Sequence, residues 1–118
     1  MLVVAALLVV GIGLVHSYLG EKYILIRLFR QPLPKLFGDD TFTRRTIRFT
    51  WHLLSFAWFG FAAVLVLLHL EIASRANILS VLAATFAVTA AVALVASRGR
   101  HLSWIVFGAI AILCYGAA

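Results

Sequence analysis

Acidic residues are scarce in this sequence: Glu21, Asp39, Asp40 and Glu71 are the only four. None lies in the middle of an apolar run, so a proton-coupled carrier would lack its usual titrating carboxylate. Cysteine is scarcer still. Cys114 stands alone, which excludes an intrachain disulfide, and its place in the last apolar run says nothing about redox compartment. The two prolines, Pro32 and Pro34, leave every long apolar run unbroken. There is no Gly-rich phosphate loop, no Cys/His zinc spacing and no Ser/His/Asp set. His16 and Ser17 are neighbours, which point about 100° apart on a helix, so they form no nucleophile and base pair.

What remains is apolar. Of 118 residues 64% are hydrophobic and 12% charged, against roughly 45–50% and about 25% in ordinary soluble domains. The apolar runs approach the roughly 20 residues that cross a bilayer core of about 30 Å. These features predict an all-α membrane protein, four transmembrane helices in an up-down bundle, with residues 1–118 as a single integral domain. The net charge of +6 is concentrated between spans, where anionic lipid headgroups are the natural partner and nucleic acid is not.

The first expected span, residues 2–19, opens apolar without the positive region or small-residue cleavage site of a signal peptide, and is read as retained. Gly13, Ser17 and Gly20 fall at i, i+4 and i+7, a small-residue stripe for close approach of another helix, with His16 and Glu21 flanking it on opposite sides. Glu21 to Gly38 mixes Lys and Arg with Tyr, Ile, Leu and Phe, the composition of an interfacial segment. Asp39, Asp40 or Thr41 offers an N-cap for a second helix starting at about Thr41, whose span covers 46–70. A third span, 78–97, is rich in alanine, with Thr85 and Thr89 placed to bond backbone carbonyls one turn back. A fourth covers 102–117.

Orientation follows from the cations. Of ten Lys and Arg residues, seven (Lys22, Arg27, Arg30, Lys35, Arg44, Arg45 and Arg48) lie between spans one and two, Arg98 and Arg100 lie between three and four, and Arg75 is alone on the other side. The positive-inside rule then places links 20–45 and 98–101 in the cytoplasm and both termini outside. So strong a bias disfavours the small four-span drug exporters and fluoride channels, similar in size, whose antiparallel dimers need subunits inserted both ways.

Candidate sites sit at the cytoplasmic ends. His16 and His52, at similar depth on neighbouring antiparallel helices, suit the axial ligands of haem b, a chlorophyll-type pigment or a divalent metal. Glu21 would complete a His16, Glu21, His52 metal set, although pairing with Arg48 or Lys22 is the preferred reading. The plainer account of both histidines is bonding to backbone or neighbouring polar groups near the helix ends. Arg44, Arg45, Arg48 and Trp51 suit contact with lipid headgroups or an acidic partner, while Trp58, deeper, suits packing against protein.

The segment His16-Ser-Tyr-Leu-Gly-Glu21, followed by Phe42-Thr-Arg-Arg45, Arg48 and Trp51-His52, resembles an uncharacterised family of small four-span bacterial inner-membrane proteins. The resemblance covers most of the first two spans. It implies a bacterial inner membrane setting and brings no activity or cofactor. Small size and surplus aromatic surface point to a non-catalytic accessory subunit of a larger respiratory, photosynthetic or transport complex. The alternative is a haem- or metal-binding protein using His16 and His52.

Overall fold

No residue before Pro32 forbids a helix, and the helix that begins at Leu2 runs almost that far. In the computed structural model, which describes residues 1–118, α1 (Leu2–Leu19) passes without interruption through a π-helical segment, Gly20–Leu25. A closing turn, α2 (Ile26–Leu28), follows. Gly20 keeps right-handed helical angles (φ −60°, ψ −48°), so it continues the helix instead of ending it. The expected interfacial segment is therefore divided. Residues 21–28 belong to the first helical unit, and the true link is only Phe29 to Asp40.

That link is ordered by short-range bonds. Leu36 N donates to Asp39 O at 2.9 Å, around Phe37 (φ 58°) and Gly38 (φ 97°) in left-handed conformations. Asp39 Oδ1 then accepts from Thr41 N at 2.9 Å, which caps α3 (Thr41–His69) from one residue further out than its N-cap position, Asp40. The Asp40 carboxylate turns instead to Arg44. Arg44 also donates to the carbonyls of Phe29 and Gln31, so one guanidinium fastens the end of the first helical unit to the start of α3. Its hydrogen bond to Asp40 holds that carboxyl below the ordinary value of 3.8.

The remaining turns are tight. Glu71 takes a left-handed φ of 58°, and Ile72 N reaches back to Leu67 O at 3.0 Å. Ser74 caps α4 (Arg75–Ser97) by accepting from Asn77 N at 3.1 Å. Arg98 (φ 53°) and Gly99 (φ 76°) close α4, and α5 (Ser103–Gly116) completes the chain. Leu2–Leu28, Thr41–His69 and Arg75–Ser97 are long and apolar enough to cross a membrane. At 14 residues α5 spans about 21 Å, using 1.5 Å per residue, and is the shortest of the four.

The helices do not close on one another. Packing runs from α1 to α3, from α3 to α4 and from α4 to α5, with none between α1 and α4, α1 and α5, or α3 and α5. The molecule measures 51 × 31 × 14 Å, so the helices stand in an open row one helix thick. The reason lies in the side chains. A closed bundle needs bulk at its centre, yet the 12 buried residues are mostly Gly, Ala, Ser and Thr, exceptions being Leu25 and Phe49. Such residues make close pairwise contacts between helix backbones but cannot fill a central core. Gly60 of α3 illustrates the contact, since a Cβ there would lie 2.5 Å from the Thr85 hydroxyl of α4. Thr85, Thr89 and Ser97 each satisfy their hydroxyl on the carbonyl four residues back, at 2.6–2.8 Å, as expected for threonine inside an apolar helix.

Candidate functional site

Gly13, Ser17 and Gly20 share one face of the first helical unit, and α3 lies on it. At Gly13 a Cβ would stand 2.7 Å from the Phe59 ring, and at Gly20 it would overlap the Trp51 indole. Between these two close approaches Ser17 meets the polar residues of α3, Ser55 and His52, which are three apart and therefore share a face of that helix.

The direction of each hydrogen bond can be counted outward from the interior. Ser55, only 2% exposed, donates its one hydroxyl proton to Gly13 O at 2.8 Å. In the 2.8 Å bond between Ser17 Oγ and Ser55 Oγ the donor is therefore Ser17. Ser17 has then spent its own proton, and it accepts from His52 Nδ1 at 2.9 Å. On the far side of the ring His52 Nε2 lies 3.2 Å from Glu21 Oε2, while Glu21 Oε1 accepts from Arg48 Nη2 at 2.9 Å. Glu21 thus joins His52 and Arg48, four residues apart on one face of α3. It does so from the π-helical turn, whose wider winding carries position 21 toward α3.

Serine, histidine and glutamate in one chain of bonds resemble a hydrolytic triad in composition only. A nucleophilic serine must give its proton to the histidine. Here the donors run the other way, from His52 through Ser17 and Ser55 to a backbone carbonyl, so His52 cannot act as the base for Ser17. The arrangement is a directional lock between two helices. Apolar surfaces slide over one another with little preference, whereas this chain of bonds is satisfied in one register alone. Ser55→Ala removes two of its links and is expected to cost about 1–2 kcal/mol, measured by equilibrium unfolding in mild detergent. A change below a few tenths of a kcal/mol would show that the lock contributes nothing.

His16 is turned elsewhere. Its Nε2 donates to Trp51 O at 3.2 Å, and Trp51 Nε1 donates to His16 O at 3.2 Å, so each side chain caps the other's backbone. The two rings stack with centroids 4.7 Å apart and planes 3° from parallel, and Trp58 meets the imidazole edge-on at 5.3 Å. Trp51 and Trp58, expected at a headgroup belt and against protein respectively, together form the cage of His16.

The residues singled out in the sequence therefore separate into groups. Glu21 and His52 meet, and Glu21 pairs with Arg48, while His16 belongs to a different contact on the other flank of the stripe. No three His, Cys, Asp or Glu side chains come together as metal ligands, so His16, Glu21 and His52 do not form one set. Arg44 and Arg48 are engaged inside the chain, and Arg45 is left free of any ion pair. Ser17 and Ser55 carry the centre of the network, although the sequence marks Ser17 only as a small residue and gives Ser55 no role. The available signal was spacing: Ser55 stands three residues from His52, and Ser17 lies in the small-residue stripe. Comparison of the chain with protein-family models, with curated proteins and with solved structures found no match.

Proposed function

We propose that the chain is a non-catalytic subunit of the bacterial inner membrane, its termini on the periplasmic side, that packs against the helices of a larger respiratory, photosynthetic or transport assembly. The observation that carries this reading is the open row. A layer one helix thick leaves both broad faces uncovered, with residues such as Val95, Ile112 and Tyr115 more than 70% exposed.

Lipid chains alone could cover such faces, but the surfaces are grooved for something more rigid. A trough of about 460 Å³ between α4 and α5 is lined by Ala83, Ala84, Ala87 and Ala111. A second of about 400 Å³ runs along Phe56, Phe59, Gly60 and Val88 between α3 and α4. Small-residue troughs admit the ridge of another helix and gain dispersion contacts that mobile acyl chains supply less well. The polar network supports the same reading, because both ring nitrogens of His52 and one of His16 are engaged within the chain. Binding haem, a chlorophyll-type pigment or a metal through His52 would first have to break one of its two bonds.

Gentle extraction of the tagged protein from its native membrane, followed by size-exclusion chromatography with visible spectra across the peaks, tests the proposal. Elution in a particle several times the size of the chain is expected, and Ala87→Phe, which fills the α4–α5 trough, should shift the protein to a small particle. A small particle for the wild type in several mild detergents would count against the subunit reading. A Soret band in that small particle would replace it with the haem alternative.

A further inference from the structure

Three arginines from two distant parts of the chain line one cavity of about 290 Å³. Arg45 comes from the start of α3, and Arg98 and Arg100 come from the α4–α5 turn. Asp39, Thr41 and Ser97 complete the polar lining, and Phe42 is its one apolar wall. The two parts are held together by His101. Phe42 stacks on its imidazole at 6.2 Å and Phe49, 3% exposed, meets it edge-on at 5.3 Å. Ser97 Oγ accepts from His101 N at 3.2 Å, and Trp104 Nε1 donates to Gly99 O at 3.2 Å, so the turn carrying the two arginines is pinned at both ends.

The other polar groups of the lining are largely satisfied. Asp39 accepts from Thr41 N and Ser97 donates to Ala93 O. The arginines are not. The ion pairs of the chain involve Arg44, Arg48 and His52, and none involves Arg45, Arg98 or Arg100. Arg100 has the Phe37 ring 5.5 Å away, a contact that leaves its N–H donors free. One acidic residue, Asp39, faces three guanidinium groups. Arg98 also stands at a left-handed position (φ 53°) closing a helix, where glycine or asparagine is usual, although the next residue is Gly99. The backbone is strained there, and the single Asp39 carboxylate leaves a net charge of two positive in the lining.

We infer that this cavity binds a phosphate group. Guanidinium forks match phosphate oxygens in geometry and charge, and three of them from two links can surround one anion. The Thr41 hydroxyl, which has no partner within the chain, adds a neutral donor. The phosphate comes from an anionic lipid headgroup or from a soluble phosphate. The inference stands apart from the subunit reading, since the cavity is formed within a single chain.

The test uses the full chain in nanodiscs. In one arm the bilayer mixes phosphatidylcholine with phosphatidylglycerol, and native mass spectrometry reads the lipids that stay with the protein on release. In the other the bilayer is phosphatidylcholine alone, and inorganic phosphate is titrated with ³¹P NMR as the readout. Enrichment of phosphatidylglycerol by about tenfold assigns the site to a headgroup, and saturable phosphate binding assigns it to a soluble anion. In either arm the effect should vanish in Arg45→Gln/Arg98→Gln/Arg100→Gln and persist in Arg27→Gln/Arg30→Gln/Lys35→Gln, which removes equal charge from α2 and the link that follows it. Binding in neither arm overturns the inference, as does an equal loss in both triple variants, which would mean diffuse surface attraction. Arg98→Gly separates binding from structure. It should raise resistance to unfolding by relieving the strained turn while lowering anion retention severalfold, and a fall in both would remove Arg98 from the site.

Discussion

Gly20→Ala is expected to destabilise the protein by about 2–3 kcal/mol, and Gly20→Leu to separate α1 from α3 altogether, which is a large effect for adding so few atoms. Gly20 has ordinary helical angles, so backbone strain plays no part, and alanine is by propensity the better helix former by up to about 1 kcal/mol. What opposes it is Trp51, whose indole occupies the place of the missing Cβ. That ring cannot withdraw cheaply. It is stacked on His16 and bonded to the His16 carbonyl, with Trp58 against the same imidazole. Gly11 provides the comparison, because a Cβ there meets nothing within 4 Å, and Gly11→Ala should be neutral or stabilise by a few tenths of a kcal/mol. Equilibrium unfolding of the two variants in one detergent, with tryptophan emission as the signal, measures the difference. Equal stabilities for the two would show that the Gly20 to Trp51 contact does not hold the helices together.

How far this contact was legible in the sequence is instructive. The stripe of Gly13, Ser17 and Gly20 could be read from spacing alone, and the structure places α3 on it. The pairing of His16 with His52 was inferred from matched depth along antiparallel helices, and depth is only half of a position on a helix. The other half is azimuth. His16 lies about 100° around from Ser17, and it is Ser17 that belongs to the contact face, so His52 meets Ser17 and Glu21 while His16 meets the tryptophans. His16 and Glu21 flank the stripe on opposite sides, and only Glu21 lies on the flank that meets His52. The π-helical turn that brings Glu21 to His52 has no comparable signal in composition or spacing. Nor could the sequence say which arginine remained free. Pairing of Glu21 with Arg48 or Lys22 is legible from the sequence, and the positions of Asp40 and Glu21 in space decide for Arg48 and add Arg44, which leaves Arg45.

The open row follows from the same small residues. Each helix pair meets through Gly, Ala, Ser or Thr, which brings backbones close but leaves little side-chain volume to draw a third helix in. In water such a layer would be unstable, since its apolar faces would remain exposed. Its composition suits surroundings that are themselves apolar, and the alanine-lined trough between α4 and α5 suits a helix. The functional proposal and the shape of the molecule therefore rest on one feature of composition, the near absence of bulky residues at buried positions. The α1–α3 contact departs from this pattern, as the one helix pair joined across its interface by a chain of polar bonds.

Glu21 holds the outer end of that chain, and replacing it distinguishes a satisfied network from a merely electrostatic one. Glu21→Ala should cost about 2–3 kcal/mol, because it leaves both Arg48 and His52 without their acceptor at a half-buried contact. Glu21→Gln should cost well under 1 kcal/mol even though it also removes the charge. The glutamine carbonyl can accept from Arg48, and its amide can donate to His52 Nε2, while His52 Nδ1 goes on donating to Ser17. The donor order from His52 to the Gly13 carbonyl is then intact. Unfolding free energies of the three proteins, together with the ¹⁵N shifts of the His52 ring, give the decisive comparison. Nδ1 should carry a proton in both wild type and Glu21→Gln. If Gln proved as damaging as Ala, charge rather than hydrogen-bond order would govern the contact. If Nδ1 were bare in the wild type, the order of donors counted from Ser55 outward would be wrong, and His52 would be free to act as a base toward Ser17.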